Sequence, residues 1–391
     1  MHTGKPSKDA VAALVVVGTS ARLLAECARA GGFEVHALDV FGDADTLRLA
    51  HSWQSIRVDG RLAIDGAALE AALRRFAAAG RVQGWIAGSG LEAAPDLLAR
   101  AAACLPLLGN DAATVAQLRT PADFHSTLGR LGIRAPQVRL AMPPEPAGWL
   151  FKDAHACGGW HVRAARRAPA VIGAGGHFQR FQSGTPMSAL FVADARRWQL
   201  VMLSLQLVGA PAPRRYAHRG NLGPVTLGAQ PWAQLCHALD ALVPAYGLRG
   251  INGLDFLLDG DELWVLEINP RPTASLALLD ASAQVALLRQ QVALSRGASV
   301  GAAVLAPAAP GVRASEVVFA RAGGEVSAAA AATLAGFGFC RDLPAAGAKF
   351  AKGDPVCTVL AAAEDCAAAL AALQARRDAV LACVQAEVAP A

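Results

Sequence analysis

The 391-residue chain lacks the patterns that define several large classes of protein. It has no uninterrupted run of about 18 strongly apolar residues, so we expect no membrane-spanning helix although hydrophobic residues make up 54% of the chain. Much of that hydrophobic excess is alanine. No basic segment followed by an apolar one opens the chain, which argues against export.

The cysteines and charges exclude further classes. The eight cysteines form no CxxC pair and show no zinc-ligand spacing with the nine histidines. This distribution predicts reduced thiols in a cytoplasmic protein, without disulfides or zinc. The net charge of +5 is small for this length, and the arginines are dispersed rather than gathered in a basic stripe with aromatics. Nucleic-acid binding is therefore not indicated.

The first quarter of the chain alternates short apolar strands with helices, from AALVVVG to VQGWIAG. This alternation predicts a parallel sheet with crossover helices. The GxGxxG motif of dinucleotide-binding domains is absent, so neither Gly18 nor Asp39 is expected to bind a nicotinamide cofactor. The loop GSGLEAAP at 88–95 is the best candidate for a substrate loop in this half. Alternatively, it is a plain turn into a helix that begins at Pro95.

The most informative stretch is GLDFLLDGDELWVLEINPRPTASL at 253–276. The alternation in LDFLL and LWVLEI predicts two strands, and DGDE supplies the turn between them. Such a hairpin brings Asp255 close to Glu267, with Asn269 and Arg271 at the end of the second strand. Two carboxylates and an amide oxygen that converge suit Mg²⁺, with substrate phosphates as its other ligands. The alternative is a surface hairpin whose charges only keep it soluble.

A second motif, WLFKDAHACGGWHVR at 149–163, predicts a strand that carries Lys152, a small-residue loop and another strand. A lysine in this position can reach phosphate oxygens, while Gly158 and Gly159 let backbone N–H groups approach the same oxygens. An ordinary hairpin turn would give a similar pattern. The GxxxxGK[ST] motif of P-loop proteins does not occur.

The hairpin at 253–276 resembles the metal-binding core of the ATP-grasp superfamily, where an acidic residue and a Glu-x-Asn pair hold the Mg²⁺ ions of Mg-ATP. The resemblance implies that Asp255, Glu267 and Asn269 are metal ligands. It also implies that Arg271 is catalytic and steadies the reacting groups. The implied cofactors are ATP and Mg²⁺, with Mn²⁺ as a substitute.

Upstream segments carry the same resemblance and imply a nucleotide site. Residues 149–163 are similar to the lysine and flexible glycine loop that close over the triphosphate. Residues 177–194 look like the interlobe hinge that bonds adenine through its backbone, although Arg180 stands where an acidic residue is usual. Residues 109–138 resemble the helices leading into the fold, with arginine at 119 where many relatives have lysine. The implied ATP-binding residues are Lys152, Gly158, Gly159, Gln179, Phe181 and Arg119.

The resemblance covers most of the chain and implies an α/β fold class. We expect a Rossmann-like pre-ATP-grasp domain, a two-lobed α+β ATP-grasp fold and a small β-rich C-terminal segment. The expected boundaries are 1–108 for the first domain, 109–297 for the ATP-grasp domain (A-lobe helices 109–148, B lobe 149–205, metal-binding lobe 206–297) and 298–391 for a linker and the C-terminal domain.

ATP-grasp enzymes phosphorylate a carboxylate and then let an amine displace the phosphate. EINPRPTASL and the KGDPVCTV run resemble the carboxylate–amine ligase branch, including tyramine–glutamate ligase-type enzymes of methanofuran-like cofactor synthesis. We therefore expect a cytoplasmic ligase that joins a small-molecule carboxylate to an amine, with an amino acid as substrate, in cofactor biosynthesis. Homodimers are common among such enzymes. The alternatives are a bicarbonate-using carboxylase of the purine-biosynthesis type and a non-catalytic ATP-binding protein; a dehydrogenase is least favoured.

Overall fold

The structure is a computed structural model that describes residues 12–59, 63–209, 214–301 and 311–385. The expected linker at 298–312 lies largely outside these residues. Helices and strands are mixed throughout, which confirms the α/β fold class. Within the described ranges, no helix combines the length and apolar character that crossing a membrane requires.

The first part of the chain forms the predicted parallel sheet. Its strands lie in the order β3-β2-β1-β4, and every neighbouring pair is parallel. Strand β1 is buried along its whole length because helices cover both faces of the sheet. The elements are β1 Ala13–Gly18, α1 Arg22–Ala30, β2 Glu34–Asp39, α2 Ala44–Leu49, β3 Ser52–Ser55, α3 Gly66–Ala79, β4 Val82–Ala87 and α4 Pro95–Cys104.

Two helices lead from this sheet to a small antiparallel one. Asp111 caps the first helix, its Oδ1 accepting from the Thr114 N–H at 2.7 Å, and Pro121 begins the second. The elements are α5 Ala112–Leu118, α6 Pro121–Arg130, β5 Val138–Arg139, β6 Trp149–Asp153, β7 Arg163–Ala164 and β8 Gly176–Arg180. The strand expected after the glycine loop is only the two-residue β7, and β6 instead pairs along its length with β8.

The rest of the chain builds one antiparallel sheet in the order β13-β12-β9-β10-β11-β14-β18-β16. The C-terminal strands β14, β18 and β16 continue the sheet that begins with the predicted hairpin, whereas β15 and β17 pair with each other. The elements are β9 Thr185–Asp194, β10 Trp198–Val208, β11 His218–Gly223, α7 Ala229–Tyr246, β12 Arg249–Asp259, β13 Glu262–Asn269, α8 Ala281–Ser295, β14 Val312–Phe319, β15 Gly324–Glu325, α9 Ala328–Gly336, β16 Cys340–Arg341, β17 Lys349–Phe350, β18 Pro355–Ala363 and α10 Cys366–Gln385.

A buried amide network joins the first sheet to the large one. Gln291 on α8 donates from Nε2 to the Leu108 carbonyl at 2.8 Å and accepts from the Ile251 N–H at 2.5 Å. Asn110 accepts from the Arg249 N–H at 2.7 Å. Because these groups are removed from water, each lost partner would leave an unsatisfied backbone group. The network therefore fixes strand β12 against the end of the first sheet.

Buried charges form a second junction, between the first sheet and the C-terminal strands. Arg22 on α1 is 4% exposed and donates from Nε to Asp342 at 2.9 Å and from Nη1 to Glu26 at 2.7 Å. The Asp45 carboxylate accepts from the backbone N–H groups of Asp342 and Leu343, both at 2.9 Å. Asp342 has a φ of 54°, a strained value for a residue other than glycine. These bonds hold that turn in place.

Asp43 lies in the same junction, and no basic side chain among the described residues forms an ion pair with it. The Ser20 hydroxyl donates to Asp43 at 3.2 Å or to Asp342 at 3.3 Å. Burial and the neighbouring charges of Asp342, Asp39 and Asp45 raise the pKa of Asp43 to about 8. The Asp43 carboxyl is therefore protonated in the folded protein at neutral pH and largely ionised in the unfolded chain.

Replacing Gln291 by leucine should destabilise the protein by about 2–4 kcal/mol, because the Leu108 carbonyl and the Ile251 N–H would lose their partner while staying buried. Urea unfolding followed by circular dichroism measures this loss. The matched control is Gln374→Leu on the exposed side of α10, for which we expect a change within about 0.5 kcal/mol. Equal effects of the two substitutions would contradict the role of the network.

Replacing Asp43 by asparagine should stabilise the protein increasingly as pH rises from about 4 to about 8. The raised pKa means that the folded state holds a proton that the unfolded state loses, so wild-type stability falls across this window. At pH 8 the variant should exceed wild type by more than about 1 kcal/mol. Unfolding free energies at several pH values test this, with Asp261→Asn in an exposed turn as the control. A pH-independent difference would refute it.

Candidate active site

The predicted hairpin is confirmed, and it places the two carboxylates side by side. Asp255 on β12 pairs directly with Glu267 on β13. The next pair joins Phe256 to Val265, so a β-bulge leaves Leu266 without a partner in the ladder. Such bulges bend a strand and redirect side chains, and this one lies beside the carboxylate pair.

Asp255 is held by hydrogen-bond donors on both oxygens. Ser188 on β9 donates to Oδ1 at 2.7 Å, and the Asn269 amide nitrogen donates to Oδ2 at 3.0 Å. Removal from bulk water, together with the charge of Glu267, raises the pKa of Asp255 to about 6. In this conformation the amide nitrogen of Asn269, and not the expected oxygen, faces Asp255. That oxygen instead accepts from Arg271 at 3.5 Å, and a half-turn of the amide would exchange the two atoms.

Glu267 faces a group of cations. Removal from water alone would raise the pKa of Glu267, but Arg119, Lys152 and Arg271 outweigh this effect and lower it. Arg119 lies closest, with Nη1 3.5 Å from Glu267, and its side chain is only 8% exposed. Its Nε is buried without a hydrogen-bond partner. Arg119 is therefore part of the cleft and not a solvated helix residue.

Glu92 is a site residue that the sequence analysis did not single out. It lies in the 88–95 loop and is 3% exposed. One of its oxygens accepts from Arg271 Nε and Nη2, both at 2.7 Å, and lies 3.9 Å from Arg119. Burial would raise the pKa of Glu92, but Arg271 and Arg119 lower it. The sequence did contain a signal for Glu92: it is the one acidic residue in the loop GSGLEAAP. In addition, Arg119 and Arg271 had been singled out without an acidic partner for either.

Lys152 lies on the polar face of the small sheet. Its Nζ donates to the buried Gln179 at 3.2 Å, while Trp149, Phe151 and Phe178 form the core on the other face. Three histidines lie near it: His125, His161 and His177. Their pKa values are lowered to about 4, mainly by burial and further by the charge of Lys152. Neutral imidazoles beside one ammonium group make a polar pocket suited to phosphate and base contacts.

The expected hinge lies between β8 and β9 and links the small sheet to the large one. Phe181 is 49% exposed, and its backbone N–H donates to the Gly148 carbonyl at 2.8 Å. The hydroxyl of Ser183 donates to Asp259 at 2.7 Å. Arg180, which stands where an acidic residue was expected, packs against the Trp149 ring at 5.8 Å. The structure thus places Gln179 in the pocket with Lys152 and leaves the Phe181 ring in an exposed position.

The glycine loop, defined here as residues 154–162, bends over this pocket. Gly158 and Gly159 have φ values of 67° and 71°, which glycine adopts without strain. A side chain on Gly159 would overlap the Tyr216 carbonyl oxygen. The Gly158 carbonyl accepts from the His218 N–H at 2.8 Å. Glycine is therefore required at 159, where the loop docks on the segment leading into β11, and the positive φ of Gly158 favours glycine there as well.

The donor set at the hairpin fits Mg²⁺. Asp255 and Glu267 supply two hard carboxylate oxygens in direct register, and the Asn269 amide lies next to them. Their mutual repulsion is the kind that a divalent cation relieves. No group of three or more His, Cys, Asp or Glu side chains is arranged to hold a metal in the described ranges. A Mg²⁺ ion at the hairpin would thus need further oxygen ligands, which substrate phosphates provide.

Comparison with known proteins agrees with this geometry. A family model described as an ATP-grasp domain matches residues 123–275. The large chain of carbamoyl phosphate synthase from Streptomyces avermitilis is 32% identical over 79 residues. That segment is 20% of this chain and only 7% of the relative, so most of the relative's length has no counterpart here.

Two solved structures are similar over nearly the whole chain. A biotin carboxylase from Campylobacter jejuni, in a βγ-ATP complex, has a TM-score of 0.70 at 13% identity, covering 94% of each chain. An L-amino acid ligase from Bacillus licheniformis has a TM-score of 0.68 at 13% identity, covering 95% of this chain and 98% of the ligase. Identities this low establish a shared fold. The chain therefore has the ATP-grasp fold, and its residues 123–275 match the ATP-grasp family model.

Proposed function

We propose that the protein is an ATP-dependent carboxylate–amine ligase with an amino-acid substrate. The observation that carries this proposal is the Asp255–Glu267 pair facing Lys152, Arg119 and Arg271 in one cleft. This arrangement can hold a metal, the phosphates of ATP and a second anionic substrate together. The likeness to an L-amino acid ligase supports the same branch.

The residues divide the work of phosphoryl transfer. Asp255, Glu267 and a rotated Asn269 would hold Mg²⁺, which when bound neutralises charge on the phosphates. Lys152 would bind phosphate oxygens, and Gln179 fixes its ammonium group. With Arg119, the cleft then offers two cationic groups for the nucleotide. Gly158, Gly159 and the hinge at Phe181 would complete the ATP site.

Arg271 would bind the carboxylate substrate and then the acyl phosphate, because its planar group matches both anions. Glu92 acts on this step as a positioning residue. Arg271 donates to Glu92 from Nε and Nη2, both at 2.7 Å, and these two bonds fix the plane of its guanidinium. Arg271 also donates from Nη1 to the Pro272 carbonyl at 3.1 Å, which fixes the rotation of the group. The amine then attacks the acyl carbon, and phosphate leaves.

The proposal extends to features beyond the site. We propose a role in cofactor biosynthesis in the cytoplasm, with a homodimer as the working form and with tyramine–glutamate ligase-type chemistry as the first case to test. The eight cysteines are scattered and form no CxxC pair, which supports a reducing compartment. The boundaries 1–108, 109–297 and 298–391 remain our proposed domain limits.

A second candidate is a carboxylase that activates bicarbonate, as in the purine-biosynthesis type. The likeness to a biotin carboxylase favours it, because bicarbonate is also a carboxylate that this kind of site can phosphorylate. A protein that binds ATP without turnover is the third candidate. The three differ in which substrate stimulates ADP formation.

The test is ADP release with Mg-ATP against a panel of amino-acid and small-carboxylate substrates paired with amines. One reaction contains bicarbonate and aminoimidazole ribonucleotide. Stimulation by an acid–amine pair supports the ligase, and stimulation only in the bicarbonate reaction supports the carboxylase. If no reaction responds while ATP still raises the melting temperature, the protein binds ATP without catalysis.

Replacing Glu267 by glutamine should lower stimulated ADP release at least about 100-fold, since a metal ligand and its charge are lost from the transition state. The matched control is Glu262→Gln at the start of the same strand, where the side chain is half exposed and pairs with Arg134 at 3.1 Å. We expect that control to keep full activity. Activity retained in the Glu267 variant would rule out the proposed metal site.

Replacing Glu92 by glutamine should lower kcat about 10- to 100-fold and change the affinity for ATP much less, because the variant loses the two 2.7 Å bonds that hold Arg271, whereas Arg119 lies 3.9 Å from Glu92 and keeps its contact with Glu267. Steady-state kinetics with the carboxylate and with ATP as the varied substrates separates these effects. Glu70→Gln, which removes an exposed pair with Arg74 and Arg100, is the control. An equal loss in ATP affinity would contradict a role through Arg271.

A further inference from the structure

The glycine loop is held down by parts of the chain that lie outside the small sheet carrying it. Gly158 and Gly159 contact the segment leading into β11, as described above. These backbone contacts dock the middle of the loop. They do not by themselves explain why the loop carries a tryptophan, since a residue of any size following Gly159 would leave them intact.

Trp160 reaches further, to the C-terminal segment. The Arg214 guanidinium lies over its ring at 3.9 Å from the centroid, a close cation–π stack. On another side, Phe319 at the end of β14 meets the ring edge-on at 6.0 Å. Trp160 thus sits between a residue of the β10–β11 connection and a residue of the C-terminal strands.

Arg214 is itself anchored to the C-terminal segment. Its Nη1 donates to the Gly353 carbonyl, and its Nη2 lies 4.0 Å from Asp354. Both residues belong to the turn before β18. The stack is therefore a chain of contacts in which the C-terminal turn holds Arg214, and Arg214 holds Trp160.

The residues on either side of Trp160 line the reaction site when the loop is down. Cys157 is close enough to Glu92 and Arg271 for their charges to act on its thiol, whose pKa burial raises. His161 is close to Lys152 and Glu267, and its Nδ1 is buried without a partner. Docking of Trp160 thus covers the charges at which an acyl phosphate would form.

We propose that Trp160 is a positioning residue that, stacked on Arg214 and Phe319, keeps the glycine loop closed over the reaction site. The C-terminal segment thereby takes part in excluding water. This role rests on the proposed ligase function. Without closure, water attacks the acyl carbon and the bond from that carbon to the phosphate oxygen breaks. The carboxylate is regenerated, inorganic phosphate leaves with a proton, and ATP is consumed without ligation.

The first test measures the loop itself and needs no substrate. Hydrogen exchange of residues 154–162 is compared in wild type, Trp160→Ala and Trp160→Phe, with and without Mg²⁺ and a non-hydrolysable ATP analogue. We expect about ten-fold faster exchange in Trp160→Ala, the loss of a desolvated cation–π contact, and partial recovery in Trp160→Phe. Trp232→Ala, on the surface of α7 at 39% exposure, is the matched control and should match wild type.

The second test measures coupling with the acid–amine pair found above. Wild type should release about one ADP per ligated product, as the one-to-one chemistry of acyl-phosphate ligation requires. Trp160→Ala should release several ADP per product, because water competes for the intermediate. Arg214→Lys, which keeps the charge but loses the flat stacking surface, should change the ratio in the same direction.

The outcomes separate this proposal from the function on which it rests. If no acid–amine pair stimulates ADP release, the ligase function fails, but faster exchange in Trp160→Ala still supports the proposal that Trp160 holds the glycine loop closed. Unchanged exchange in that variant overturns this role of Trp160, whatever the activity. Faster exchange with an unchanged ADP-to-product ratio overturns its role in excluding water. Melting temperatures of all variants show whether a change in exchange is local to the loop.

Discussion

The repulsion between Asp255 and Glu267 is the constraint around which the cleft is arranged. Strand register places the two residues opposite each other, which keeps their carboxylates close together. Like charges held close repel, and the charge of Glu267 adds to burial in raising the pKa of Asp255. Ser188 and Asn269 donate to one carboxylate, and cations face the other. These donors and cations offset the repulsion within the acidic pair.

Beyond the acidic pair, acidic and basic side chains alternate, so that each charge lies beside one of opposite sign. Glu267 faces Arg119, Arg119 and Arg271 face Glu92, and Glu92 is among the most buried acids in the described chain. A buried charge is tolerated when its partners are close and well oriented, which the two 2.7 Å bonds from Arg271 provide. Because Glu92 follows strand β4, this chain of charges connects the first sheet directly to the proposed site.

The sequence was sufficient to predict those parts of the fold and site that are built from neighbouring residues. Alternating residues and a short turn were enough to pair Asp255 with Glu267, and the parallel first sheet followed from its strand–helix rhythm. Contacts between distant segments were not predictable in this way. The bond from Arg271 to Glu92 spans 179 positions, and Trp160 meets Phe319 only because the C-terminal strands continue the large sheet. The orientation of the Asn269 amide also depends on neighbours that no local pattern specifies.

The bonds from Gln182 and Ser183 to Asp259 have a mechanical consequence. Asp259 ends strand β12 at the tip of the hairpin, and the same strand carries Asp255. The axis about which the small sheet would swing is thereby pinned to the element that carries the acidic pair. A rotation of the small sheet about this point would therefore leave its pivot at a fixed distance from Asp255, equal at any angle to the length of the β12 segment from Asp255 to Asp259.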